Sequence, residues 1–389
     1  MSFKIGLIGK PNAGKSTLFS AITATEVEIA NYPFTTIQPN IGTSFIIRDC
    51  PEVLIHKKCT PNHGSCTNGK RLIPVQVVDV PGLIEGASEG KGMGNQFLQS
   101  VTDANSLILV FDAKEAFSSK DPEGSISNEI HEIKQEIIRW SSGIIERDWE
   151  KFAKKADSAD ERVEKSLIKK VGYLGIDEKS IHEILQIGSL PQKLSIWDHD
   201  TIVSFSEILF SRIKPVIPLG NKADLLQRDE LMTIKKSFPD IYLISAEYEL
   251  ALQRAVSHGI IKTRIPPFDP TDKATSAQRE VLEKIDSFLQ SEMISRPFDI
   301  LGKIVQDILD LITVYPVYDE STWSDRNGNI LPDAFLLKKG STPLDLAFMV
   351  HSEIGEGFIR AIDCKTKMVI GKDHELKEGD VIRIISKTK

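Results

Sequence analysis

Cysteine is scarce in this chain, with four in 389 residues, too few for the cross-linked framework of a small secreted domain and in keeping with a reducing compartment. Long apolar runs are missing as well. No stretch approaches the roughly 20 residues that would span a bilayer. The opening MSFKIGLIG has no extended apolar region with a cleavage site, and its alternating Phe3, Ile5 and Leu7 read as a first strand. Excess positive charge is lacking too: Lys+Arg 48 against Asp+Glu 55 gives a net charge of −7. That argues against nonspecific polyanion binding by the whole molecule while leaving room for a local basic face on RNA. No repeat at solenoid periods is visible. The expectation is a cytoplasmic protein with neither a membrane nor DNA as partner.

What is present is a chain long enough for about two or three domains. Short apolar strands are expected over 3–8, 41–47, 72–79 and 106–112, then far downstream over 215–219 and 241–245, alternating with helical stretches. This is the pattern of a doubly wound α/β sheet. Ile126, Ile130, Ile133, Ile137 and Ile144 recur at helical steps, as do Val163, Leu167, Val171 and Leu174, so amphipathic helices interrupt the sheet. The charged KFAKKADSADERVEKS between them reads as a solvated helical hairpin, with RNA contact there a lesser alternative. RIPPFDPTDKATS is a proline-rich linker, followed by helices over about 276–312. The last segment reads as a small α+β domain whose helix opens with Thr342, Pro343 and Asp345 at N-cap, first-turn and capping-box positions. The expected division is 1–114 with 200–265 for the sheet domain, 115–199 for the helical insertion, 266–312 for linker helices and 313–389 for the C-terminal domain.

Directly after the first strand stands GKPNAGKST, which fits G-x-x-x-x-G-K-[ST] between a strand and a helix. In such a loop Gly9, Lys10, Pro11, Asn12, Ala13, Gly14, Lys15, Ser16 and Thr17 surround a triphosphate. Gly9 and Gly14 let backbone N–H groups curl around it, the helix directs its positive end at it, and Lys15 supplies charge to the β/γ oxygens. Ser16 is a magnesium ligand candidate. Asp79 ends an apolar strand, where a carboxylate emerges beside the phosphate loop and can hold the magnesium through water. Gly82, three residues on, can offer its N–H to a γ-phosphate, and the glycines at 86, 90, 92 and 94 suit a segment that orders and relaxes with that phosphate. In NYPFTTIQPN, Thr36, or second to it Thr35, can complete the metal shell while the γ-phosphate is there.

LGNKADL and ISAE each end a further strand and complete a purine site. Asp224 can accept from both N1–H and the exocyclic amine of guanine. Adenine offers no amine there, and leaving a buried carboxylate unpaired can discriminate by roughly 10⁴. Asn221 would brace the loop, the Lys222 stem would lie along the base, and the Ala246 N–H, flanked by Ser245 and Glu247, would reach O6. GTP and GDP are therefore the expected ligands. Many GTPases orient the attacking water with a glutamine after the switch glycine; here Leu83 follows, and an alkyl chain cannot do this. Asn12 could instead hold a potassium ion between α- and γ-phosphates, or simply brace the loop. Catalytic assignments rest on Asn12, Lys15 and Gly82, with slow intrinsic turnover expected.

The combination of GKPNAGKS, NYPFTT, DVPGLIEGASEGKGMGNQF and NKAD resembles the Obg superfamily of translation-factor-class GTPases. GASEGKGMGNQFL and the insertion before KPVIPLGNKAD are most similar to its YchF or Obg-like ATPase group, in particular the archaeal branch. FLLKKGSTPLDLAFMVHSEIGEGFIRAID resembles a TGS domain, a ubiquitin-like β-grasp module. Together these cover nearly the full chain. The resemblance implies a P-loop NTPase G domain with a helical insertion and a C-terminal β-grasp domain, a hydrophobic residue replacing the catalytic glutamine, and association with ribosomes. Much of that group carries glutamate at the last position of the guanine motif and accepts ATP, whereas this chain keeps Asp224. A histidine implicated in hydrolysis elsewhere in the group has no counterpart between Asp112 and Glu129, and His131 lies on a helix. The alternative function is an ATP-hydrolysing regulator whose TGS domain binds proteins.

Two weaker signals remain. HKKCTPNHGSC brings His56, Cys59, His63 and Cys66 together in a loop; the ligand types suit zinc, but the spacing is not a common finger pattern, so a plain loop leads, with zinc or a Cys59–Cys66 disulfide as alternatives. Cys50 and Cys364 read as packing residues. In the last domain Lys338, Lys339 and Arg360 offer a small basic surface for RNA, balanced by nearby acids, and Phe335, Leu337 and Phe348 read as core.

Overall fold

The computed structural model describes residues 3–23, 40–80, 101–159 and 161–387. Chain order gives β1 (Lys4–Ile8), α1 (Lys15–Ile22), β2 (Ile41–Asp49), β3 (Ser65–Thr67), β4 (Lys70–Asp79) and β5 (Ser106–Asp112). There follow α2 (Ala113–Phe117), α3 (Pro122–Glu146), α4 (Trp149–Ser158), α5 (Val163–Val171), α6 (Glu178–Ile187) and α7 (His199–Ile213). The first sheet resumes with β6 (Val216–Asn221), α8 (Arg228–Ser237), β7 (Tyr242–Leu243) and α9 (Ala246–Ser257). Last come α10 (Ser276–Leu289), α11 (Pro297–Lys303), β8 (Leu311–Val317), β9 (Phe335–Lys338), α12 (Pro343–Val350), α13 (Ser352–Glu356), β10 (Phe358–Asp363), β11 (Met368–Ile370) and β12 (Asp380–Ser386).

The first sheet runs β2-β4-β1-β5-β6-β7, with β3 added on β4. β4, β1, β5, β6 and β7 are parallel, while β2 and β3 are antiparallel to β4. Parallel strands buried on both faces need apolar runs without alternation. β5 supplies one, SLILVFD, whose first six residues are all buried. Because the strands are parallel, their carboxyl ends share one edge, and every loop leaving that edge meets the others. β6 continues past the expected Leu219 because Asn221 pairs in register with Asp112 of β5.

The insertion is anchored to the sheet rather than tethered beside it. One apolar core joins Leu107, Leu109 and Phe111 of β5 to Ile126, Ile133 and Ile137 of α3 and on to Trp149, Leu167, Ile181 and Phe205. Trp149 stacks on Trp197 with ring centroids 5.3 Å apart. The charged stretch forms α4 and the start of α5, whose core side is carried by Trp149, Ala153, Val163 and Leu167.

The second sheet runs β11-β10-β12-β8-β9 with β8 and β12 parallel at its centre, the β-grasp arrangement, and α12 crosses it. The Thr342–Asp345 capping box forms as the sequence indicates. Two expectations need correction. The linker helices end before Ile312, since β8 begins at Leu311 and pairs with β9. Phe348 is not core: α12 buries Leu346 and Ala347, leaving Phe348 on its other side, 49% exposed. There it covers Gly355, where an added Cβ would lie 2.3 Å from Phe348 Cδ1.

Candidate functional site

The loop after β1 is built by backbone demands that few residues meet. Gly9 adopts φ 148° and Gly14 φ 87°. A Cβ on Gly9 would stand 2.1 Å from the Val110 carbonyl oxygen, and one on Gly14 2.2 Å from Asn221 Nδ2. Asn12 also turns through the left-handed region, at φ 66°, which asparagine tolerates better than most residues. Lys10, Pro11 and Asn12 form the exposed rim, Ala13 is buried beneath it, and Gly14 starts α1. Lys15 is 9% exposed, and its Nζ donates to the carbonyls of Gly9 at 2.7 Å and Lys10 at 3.0 Å. The loop therefore folds around its own lysine.

Ser16, in the first turn of α1 ahead of half-buried Thr17, donates through Oγ to Asp79 Oδ2 at 3.2 Å. Asp79 arrives from the carboxyl end of β4, one strand away from β1. Burial pushes its carboxyl up from the ordinary range, offset by Ser16 and Lys15. Burial likewise pushes the Lys15 ammonium down, and Asp79 pulls it back. A divalent cation would relieve the cost that Asp79 bears as a half-buried carboxylate, and a hydroxyl beside a carboxylate is the hard-oxygen donor set that suits magnesium. Ser16 and Asp79 thus fit that ion. Thr36, Gly82 and Leu83 lie outside the described residues.

Across β5, the purine side of the edge is held by Asn221. Its Nδ2 donates to the Ala13 carbonyl at 3.0 Å while its Oδ1 accepts from the Ala246 N–H at 2.9 Å. With 2% exposure, this one amide ties the loop after β1, the end of β6 and the loop after β7 into a single body. The Ala246 N–H, expected at a base O6, here donates to Asn221 Oδ1. Lys222 turns at φ 62° and its Nζ reaches Asp112 Oδ2 at 2.5 Å, which draws its stem across the ends of β5 and β6. Ala223 N–H donates to Ile244 O at 3.0 Å, placing half-buried Asp224 in a short 3₁₀ turn beside the loop after β7. Ser245 caps α9 by accepting from Tyr248 N–H at 3.2 Å, and Glu247 is exposed in the first turn.

Sequence reasoning missed two participants. Asp112 is both the Lys222 partner and the N-cap of α2, accepting from Lys114 and Glu115 N–H at 3.0 Å each. The signal was available: its strand ends in an aspartate as β4 does. The other is α3, whose Glu132 pairs with Lys10 at 2.9 Å and so brings the insertion to the rim. Burial, with the carboxylates of Glu115, Glu132 and Asp112, pushes neighbouring Glu129 up against the pull of Lys10. His131 is exposed on α3.

The proposed four-ligand set His56, Cys59, His63 and Cys66 does not assemble. Cys50 and Glu52 join Cys59 and Cys66 instead, their ligand atoms all within 4.8 Å of one another. The β3–β4 hairpin is the reason. It pairs Cys66 with Arg71 and returns Gly69 to accept from Cys50 N–H at 2.7 Å. His63 turns to Asp333, 3.9 Å away. All four cysteines are free thiols, which removes the disulfide alternative, and Cys50 is buried in the apolar core as a packing residue is.

A phosphate loop, a strand-end aspartate and an N-K-x-D turn on one edge of this sheet define a P-loop GTPase, a class of nucleoside triphosphate hydrolases. Family descriptions match along the chain: "50S ribosome-binding GTPase" over 4–142, "Obg-like GTPase YGR210-like, G4 motif-containing domain" over 219–319 and "TGS domain" over 328–386. A GTP-binding protein of Methanocaldococcus jannaschii is 42% identical over 99% of both chains. The crystal structure of a GTP binding protein from Pyrococcus horikoshii OT3 superposes with a TM-score of 0.75 at 30% identity, covering 99% of this chain and 100% of that one. A Haemophilus ducreyi protein named "Ribosome-binding ATPase YchF" is 26% identical, covering 98% of this chain and 98% of its own. The chain belongs to the YchF-type, Obg-like GTPase family with a C-terminal TGS domain.

Among the described residues no helix is long and apolar enough to cross a membrane.

Proposed function

We propose that this protein is a GTP-binding, slowly hydrolysing switch that acts on the ribosome or a translation-associated RNA. The observation that carries the reading is the Asn221 amide, which fixes the phosphate loop at 3.0 Å and the Ala246 N–H at 2.9 Å. A triphosphate on the first and a purine against the second are then held in one rigid frame. Gly9 to Thr17 bind the phosphates, and Ser16, Asp79 and Thr36 hold magnesium. Asp224 reads guanine, with Asn221, Lys222, Ser245, Ala246 and Glu247 shaping its pocket. Magnesium, when bound, neutralises charge on the β/γ oxygens. Lys15 adds its ammonium there, Gly82 senses the γ-phosphate, and Asn12 holds potassium. The domain limits follow the division given by the sequence, except that the C-terminal domain begins with β8 at Leu311, and RNA contact runs through the TGS or helical part.

Support for ribosome association comes from the Haemophilus ducreyi relative's name, and that same name favours a second reading in which ATP is the substrate. Competitive titration of the full chain with GTP and ATP, in magnesium, separates them. Tighter GTP binding is expected, and tighter ATP binding overturns the guanine assignment. Turnover in potassium against sodium then tests Asn12, with faster hydrolysis expected in potassium. Cosedimentation with ribosomal subunits in each nucleotide state tests the switch; binding indifferent to nucleotide overturns it.

A further inference from the structure

Away from the nucleotide edge, the connection between β2 and β4 gathers three sulfurs and a carboxylate. Cys50 follows β2, Glu52 sits on the 3₁₀ turn Pro51–Leu54, Cys59 lies in the loop beyond it and Cys66 is in β3. Their ligand atoms lie within 4.8 Å of one another. Cys50 and Cys59 are 1% and 3% exposed. Convergence of this kind from separate segments is not a packing requirement, since an apolar core would be served as well by valine or alanine.

The surroundings are built for negative charge at the sulfurs. Arg71, 1% exposed, donates to Cys59 Sγ at 2.9 Å and to the carbonyls of Leu331, His63 and Pro332. Of these four acceptors only the sulfur can carry a charge, and a charge there would join the nearby Asp333 carboxylate in offsetting a guanidinium taken out of water. The Glu52 carboxylate is oriented by the Cys59 N–H at 2.5 Å.

We propose that Cys50, Cys59, Cys66 and Glu52 bind one structural zinc ion. Zinc takes thiolate at about 2.3 Å and carboxylate at about 2.0–2.2 Å in a tetrahedron, and small side-chain rotations close the present cluster to that geometry. Thiolate donors select zinc over magnesium. Binding releases to solvent whatever protons the three thiols still hold, and the Arg71 charge offsets part of the surplus negative charge of the complex.

The ion would set the platform on which the TGS domain rests. Just past Cys59, Thr60 N–H donates to Ile330 O at 3.0 Å and Asn62 N–H to Pro332 O at 2.9 Å, and Ile330 N–H returns a bond to Thr60 Oγ1 at 2.7 Å. Cys50 and Cys59 share a core with Tyr315, Trp323 and Leu331 of the C-terminal part. Zinc in this loop couples the two domains through residues 59–62 and 329–332.

The test is metal analysis of the full chain purified reduced and without a metal-binding tag. One zinc per chain is expected, with loss in Cys50→Ser, Cys59→Ser and Cys66→Ser and retention in Cys364→Ser. Because a serine variant can fail to fold, wild-type protein stripped by a chelator is also titrated with cobalt. Near-ultraviolet sulfur-to-cobalt charge transfer and visible tetrahedral bands are expected, the visible bands shifting in Glu52→Gln. Hydrogen exchange at 59–62 and 329–332 should slow when zinc is restored. Stripped protein that takes up neither zinc nor cobalt, or zinc retained by all three serine variants, overturns the site. Unshifted bands in Glu52→Gln overturn Glu52 as the fourth ligand.

Discussion

The two ends of β4 differ in kind. Its carboxyl end presents Asp79 to Ser16 and Lys15, groups that belong to one short loop and wait for a ligand. Near its start, roughly 26 Å away at strand rise, Arg71 is enclosed by a sulfur and three carbonyls from both domains. The first end is arranged to exchange partners and the second to keep them. Function and assembly are separated along a single strand, so each can be broken without the other.

The largest effect should come at the purine side of the functional edge. Asp224→Ala removes the acceptor that reads the guanine amine, and the preference for GTP over ATP should fall by roughly 10⁴ in competitive titration. Protein stability should hardly move, because Asp224 lies half exposed in a turn. A preserved GTP preference would place base recognition elsewhere.

Arg71→Met reverses the pattern. It takes the Arg71 donor from the Cys59 sulfur and from the Leu331 and His63 carbonyls, while Pro332 O keeps the Asn62 N–H; each unsatisfied buried acceptor costs about 1–3 kcal/mol, so a loss of about 3 kcal/mol is expected with relaxation. Trp323, 4% exposed in the same core, reports it as an earlier fluorescence midpoint in urea. Guanine nucleotide affinity should stay unchanged; a parallel loss of affinity would show that the ends of β4 are coupled.

These ends were also unequally legible in the sequence. The phosphate loop is contiguous, and its rule is local: Gly14 must turn through φ 87° and Lys15 must follow it, so nine residues announce both shape and chemistry. Asp79 was legible because an acid closing an apolar strand has few structural uses. The capping box at Thr342 was legible for the same local reason. The cysteine cluster was misread because proximity in sequence favoured His56 and His63. Hairpin pairing between β3 and β4, a tertiary fact, brings Cys66 to Cys50 instead. Phe348 failed similarly: α12 has more apolar residues than one helix face can bury, and periodicity over eight residues does not say which will lose. The bond between the Ala246 N–H and Asn221 was not legible because its partners lie 25 residues apart.

Asn221→Ala should fall next in size. It leaves Ala13 O and Ala246 N–H unpaired, and with net bonds of about 1 kcal/mol each a loss of about 2 kcal/mol is expected. Because the latch serves both loops, GTP and ATP binding should weaken together, unlike the selective change at Asp224. A variant that altered only one nucleotide would show that Asn221 contacts the base and does not act as a brace.

Lys214 supplies the finest test, since it is a second buried cation at the amino-end edge of the sheet but without a sulfur partner. It is 5% exposed, and its Nζ donates to the carbonyls of Thr102 and Ala104. Burial pushes its pKa down to about 8, against a pull from Asp103. An unfolded lysine titrates near about 10.4. Between these values the unfolded chain holds a proton that the folded chain has released, so this group makes stability rise with pH. The relief is complete above the unfolded value and is lost as pH falls through about 8, below which the cost of burying the ammonium is fully present. Subtracting Lys214→Met from wild type in urea unfolding isolates the contribution. The difference should climb by up to about 1.4 kcal/mol per pH unit across that window and level off below it. A flat difference would mean that the carbonyl cage, with the pull of Asp103, holds the ammonium charged throughout.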